Sequence, residues 1–151
     1  MLAADPGGDA DTDAAVASTT IFTDAFATVS GNATLDSAAE VIVTAGNSAD
    51  SKAIADGSAA KGATDTAVGI AVSINVATMA NQAFVGDADV TAQGISASAG
   101  MKDVGGDTKH KFEAKSTSGA SGEDTGVAGS FALNLERKLS HSMLYPFCDC
   151  P

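Results

Sequence analysis

Between residues 67 and 76 the side chains alternate strictly: Val68, Ile70, Val72, Ile74 and Val76 fall on one side of an extended chain, and Ala67, Gly69, Ala71, Ser73 and Asn75 on the other. A period of two is the signature of a strand, because successive side chains on an extended backbone point to opposite faces. Residues 126–135 keep the same rhythm, with Val127, Phe131, Leu133 and Leu135 to one side and Gly129 the small residue in that row. Shorter strands are predicted at 41–45, 83–85, 88–92, 94–99 and 109–116, the last setting Phe112 and Ala114 against Lys109, Lys111, Glu113 and Lys115. Turn chemistry separates them at Gly31-Asn32, Gly46-Asn47, Asp56-Gly57, Gly86-Asp87, Gly105-Gly106-Asp107 and Gly119 to Gly122. No segment sustains 3.6-residue spacing, so little helix is expected.

The strands recur. DTAVGIAVSIN at 65–75 matches DTGVAGSFALN at 124–134 at Asp65/Asp124, Thr66/Thr125, Val68/Val127 and Asn75/Asn134, a step of 59. AFVGDADVTAQGISASAG at 83–100 echoes ATVSGNATLDSAAEVIVTAG at 27–46, where Val29 and Val85 lie 56 apart, and DAAVASTTIF at 13–22 is a fainter further copy. A repeat of 54–59 residues with short turns predicts an all-β chain folded as a right-handed parallel β-helix, a β-solenoid whose coils stack about 4.8 Å apart. With coils of roughly 18–22 residues, one repeat would make about three coils and the chain about seven. The large aliphatic row, Val68, Ile70, Val72, Ile74, Val127, Phe131 and Leu133, is expected inside. An antiparallel β-sandwich is the alternative, but it needs hairpins, and only Asp56-Gly57 offers a hairpin dipeptide.

Composition makes the pattern necessary. Leu, Ile, Val and Phe supply 29 of 151 residues against 31 Ala and 16 Gly, with 19 acidic and 8 basic side chains and a net charge of −11. So few core formers and so much charge would otherwise describe a disordered acidic linker, which stays as an alternative. Eight scattered cations make no phosphate-binding face, so nucleic acid is not expected as a partner. No apolar run is long enough for a membrane span, and the first residues lack a signal peptide's basic and apolar regions.

The quoted strands, and the passage from Val85-Gly86-Asp87 into alternating Val, Thr and Ala, resemble the long β-strand-repeat proteins of bacterial surfaces, the adhesins and filamentous-haemagglutinin-like exoproteins, over about 27–135. The chain departs from their Gly-Asp-Gly turn at Ala88 and at Ser30-Gly31-Asn32. The resemblance implies a stalk or spacer of an exported protein, extracellular or at the cell surface as part of a longer chain, without catalysis. Cell-surface glycans, or other copies of the chain edge to edge, would be its partners. A solenoid module that binds glycan, ice or a partner's edge strand is the alternative, although Thr19, Thr20, Thr28 and Thr34 do not continue as ranks downstream. The organisation expected is an acidic flexible lead-in over 1–14, solenoid repeats over 15–135, and a tail over 136–151 that leaves the repeat, disordered or foreign in origin. That tail holds the only Arg (Arg137), the only Tyr (Tyr145), and both cysteines.

No residue stands out as catalytic, cofactor-binding or metal-ligating. Asp9, Asp11 and Asp13 have the spacing that opens a calcium loop, but Ala14 replaces the required Gly and Thr20 the closing Glu. Gly105-Gly106-Asp107 is an isolated match to a calcium β-roll and reads better as a turn. Asp65 and Asp124 read as strand-entry turn residues rather than as a calcium ladder. Cys148 and Cys150 with His141 fall short of a closed tetrahedral site. His110, between Lys109 and Lys111, is expected on the surface.

Overall fold

A computed structural model describes residues 2–4, 12–60 and 66–144. The chain is all-β, with ten strands and no helix among the described residues: β1 Leu2–Ala4, β2 Thr12–Val29, β3 Ala33–Asp36, β4 Glu40–Asn47, β5 Asp50–Ala60, β6 Thr66–Val85, β7 Ala88–Thr91, β8 Gly94–Met101, β9 Lys111–Ser121 and β10 Thr125–Leu144. They form sheets in the orders β1-β5-β9, β10-β6-β2, β3-β7 and β4-β8. The pairs β1–β5, β5–β9, β3–β7 and β4–β8 are parallel, so the architecture is of the β-solenoid type and not an antiparallel sandwich. Among the described residues the antiparallel element is one isolated bridge, Val104 to Asp107.

The repeat is the pairing step. Ala33 lies opposite Ala88, a step of 55, Glu40 opposite Gly94, a step of 54, and Asp50 opposite Lys111, a step of 61. The jump from 54 to 61 has a visible origin. Ser48 and Ala49 alone join β4 to β5, whereas Lys102 to His110 join β8 to β9, seven residues more. One repeat therefore supplies one strand to each sheet, and the expectation of three short coils per repeat is corrected.

Residues group into two compact units. Unit 1 comprises Met1–Ile21, Asp50–Ala77 and Lys111–Glu136; unit 2 comprises Phe22–Ala49, Thr78–His110 and Arg137–Pro151. Strands β2, β6 and β10 contribute residues to both.

In unit 1 the buried face is lined by small side chains, Ala15, Ala17, Ala53, Ala55, Ala67, Ala71, Ser73 and Asn75. The aliphatic row expected inside is turned outward: Ile70, Val127, Phe131 and Leu133 are exposed, and Val68, Val72 and Ile74 are half-buried. Alternation fixes two faces without saying which is the inner one; the width of the interior decides. A Cβ built on Gly57 would overlap the carbonyl of Ile70, and one on Gly69 would collide with the carbonyls of Gly119 and Gly57. With backbones this close at Gly57 and Gly69, the inner face takes mostly Gly, Ala and Ser, with Asp13 and Asn75 the larger groups on it, and the bulky aliphatic side chains take the other face. Asp56-Gly57, read as a turn, is accordingly interior to β5.

Unit 2 buries larger groups. Val43, Ala45, Ala83, Val85, Ala88, Val90 and Ala92 form its core, flanked by Val29, Leu35, Val41 and Ile95. Its corners repeat one repeat apart: Asn32 (φ 59°) and Asp87 (φ 53°) both take the left-handed conformation that Asn and Asp tolerate. The Asn32 N–H donates to the Asp87 carbonyl at 2.8 Å and the Gly86 N–H to that of Val29 at 3.0 Å, so hydrogen bonding continues through the bend. Gly46-Asn47 is not a turn but the end of β4. Strand β2, of which only a faint part was visible in the sequence, begins at Thr12, and β10 runs on to Leu144, eight residues beyond Glu136.

Candidate functional site

The most developed polar constellation lies in unit 1, inside the fold. Asn75 of β6 is fully buried. Its Oδ1 accepts the Ser51 hydroxyl at 2.7 Å, and its Nδ2 lies 3.3 Å from the carbonyls of Ser51 and Glu113 and 3.2 Å from Oδ1 of Asn134. Asn134 of β10 in turn donates to the Phe112 carbonyl at 2.9 Å. Each amide thus joins the sheet it belongs to with the strand facing it, and the two amides join successive repeats. Thr19 of β2 does the same with the Lys52 carbonyl at 3.3 Å. An amide beside backbone carbonyls transfers no proton and attacks no carbon; what this ladder does is hold register in a layer too thin for large side chains.

The repeat comparison pairs Asn75 with Asn134 but assigns them to the outer, non-apolar face. A signal was present: an amide kept at one repeat position within strands of Val and Ile, where Asn is disfavoured, marks a buried hydrogen-bonding role.

Unit 2 carries a groove of about 400 Å³ lined by Met79, Asn81, Met101, Thr108, Lys109, His110, Lys138, Leu139 and Ser140. Asn81 is buried; its Nδ2 donates to the Gly100 carbonyl at 2.7 Å, and its Oδ1 has no hydrogen-bond partner. His110 is half-buried rather than on the surface, because Nδ1 lies 3.2 Å from both the amide nitrogen and the carbonyl oxygen of Ala49, and the tautomer decides which bond forms. The lining groups can hold an anionic or hydroxylated molecule, but they include no carboxylate and no thiol to work with the imidazole.

The remaining candidates are dispersed. Asp9, Asp11, Asp65, Cys148 and Cys150 lie outside the described residues. Asp13 faces inward on β2, buried, with Oδ2 unpartnered, and His141 is exposed on β10. Gly105-Gly106-Asp107 is a turn: both glycines have positive φ, Asp103 accepts the Gly106 N–H at 2.8 Å, and Asp107 accepts that of Lys109 at 2.9 Å. Asp124 directly precedes β10. Among the described residues no group of three His, Cys, Asp or Glu side chains could hold a metal ion, and no helix is long and apolar enough to cross a membrane.

Comparison with protein-family models, with curated proteins and with solved structures gives no match.

Proposed function

We propose that this chain is a stalk or spacer segment of an exported, adhesin-like repetitive surface protein, and that it supplies length and stiffness rather than catalysis. The observation that carries the reading is the pairing step: successive repeats pair strand on parallel strand, in register, at β3–β7, β4–β8 and β5–β9, and the bond from buried Asn75 to Asn134 ties one repeat to the next. A fold built this way lengthens by one layer per repeat and asks of each repeat only that it match its neighbours, which suits a spacer. Among the described residues β9 and β10 are the end strands of their sheets, where a further repeat or a second copy edge to edge would add. The setting that goes with this role is extracellular or at the cell surface.

A second reading, a glycan-binding solenoid module, draws on the unit 2 groove, where Lys109, Lys138, Ser140 and Asn81 offer groups to a hydroxylated or acidic sugar. The Ala, Ser, Gly and Asn face of β6 cannot serve such binding, because it is the buried one.

Circular dichroism with a glycan array on the purified chain separates these readings. The spacer reading expects a β spectrum with no glycan retained and no polysaccharide consumed. Retention of a defined glycan, lost in Lys138→Ala, would move the function to the groove, and a random-coil spectrum would overturn both.

A further inference from the structure

The outward face of the β10-β6-β2 sheet within unit 1 is an uncharged apolar surface. Strand alternation places Val16 of β2, Val68, Ile70, Val72, Ile74 and Val76 of β6, and Val127, Phe131, Leu133 and Leu135 of β10 on it. The remaining unit 1 positions in these rows are Thr12, Ala14, Ser18, Thr20, Thr66, Thr125 and Gly129, so no charged side chain stands among them. Six of the apolar residues are strongly exposed, from 41% for Leu133 to 63% for Val16, with Phe131 at 54%.

From this face we infer that the chain forms a two-fold dimer, in which the unit 1 outer sheet of one copy packs against the same sheet of a second copy. Three quantities point to that occupant. The six exposed residues leave on the order of 500–600 Å² of apolar surface facing water, the upper end of what a soluble monomer's largest patch reaches. Two such faces together bury about 1,000–1,200 Å², the area at which specific interfaces begin. The third is charge: with −11 overall, two copies repel through nearly any contact except one made by a face that carries none. A sheet face that is regular and rich in Val, Ile, Leu and Phe is self-complementary in the way facing sheets of a sandwich are, about 10 Å apart. The inference stands on the outward turn of the aliphatic row and does not depend on the spacer reading.

Sedimentation velocity of the full 151-residue chain over a range of concentrations tests it. A face-to-face contact about a two-fold axis uses up the face and stops at two copies, whereas edge-to-edge addition continues to larger species. The expected result is a single association step ending at twice the 14.8 kDa monomer mass. Phe131→Glu and, separately, Ile70→Glu are each expected to raise the dissociation constant by at least about tenfold, since a charge is then buried in the contact. Both positions are on the outer face, so the β circular dichroism is expected to persist; if one variant loses it, the other carries the comparison. Val104→Glu, exposed in unit 2, should leave the dimer unchanged. Monomer at all concentrations would overturn the inference, as would open-ended growth indifferent to both substitutions. Co-sedimentation with phosphatidylcholine vesicles without any dimer would also overturn it, by assigning the face to a lipid surface.

Discussion

Asn75 shows how a single residue can set register in this fold. It has no exposed surface, and its amide meets Ser51, Glu113 and Asn134, so removing it leaves buried carbonyl and hydroxyl groups without partners. Replacement by Leu keeps the bulk but not the bonds, and Asn75→Leu is expected to lower the unfolding free energy by about 2–4 kcal/mol in urea titrations. The equivalent change at Asn134, on a strand exposed along its whole length, should cost less than about 1 kcal/mol, because water replaces what the amide supplied. Equal losses at the two sites would mean that burial does not set the cost. By contrast, the Lys52–Glu113 ion pair, 3.1 Å apart on exposed side chains, contributes at most about 1 kcal/mol.

At the scale of elements, the step between paired strands stays near 55 residues except where the chain inserts a loop. Lys102 to His110 forms a turn closed by Asp103, Asp107 and the Val104–Asp107 bridge, its two end residues bonded to Asn47 and Ala49, where the preceding repeat has only Ser48 and Ala49. Deleting Asp103 to Lys109 restores the shorter connection. The shortened chain is expected to keep its β spectrum and its unfolding midpoint within about 1 kcal/mol, because loop length enters closure entropy only logarithmically. Loss of cooperative unfolding would show that the loop positions β9 rather than decorating it. Much of this element order was readable in the sequence: the alternation of 67–76 and 126–135, the corners at Gly31-Asn32 and Gly86-Asp87, and a step of 54–59 residues. What escaped was β5, whose Asp56-Gly57 resembles a turn dipeptide, and the direction in which β6 faces. Gly57 is there because two backbones nearly touch, and that closeness is a property of strands far apart in sequence, which local patterning does not encode.

For the whole molecule, the central claim is that one repeat contributes one strand to each sheet, so that residues about 55 apart are nearest neighbours. Thr44 and Ser98 are such a pair: register partners on the exposed face of β4 and β8, with hydroxyls 3.3 Å apart. Oxidation of a Thr44→Cys/Ser98→Cys chain, with Cys148 and Cys150 changed to Ser, tests the claim directly, since a disulfide needs Cα atoms within about 7 Å. The account predicts near-complete formation of that crosslink in the monomer, located by mass spectrometry of the digest, and none in a Thr44→Cys/Ala99→Cys control, whose second side chain points to the other face. If each repeat instead wound three coils, the two positions would stand about 14 Å apart and stay reduced, and that result would contradict the fold described here.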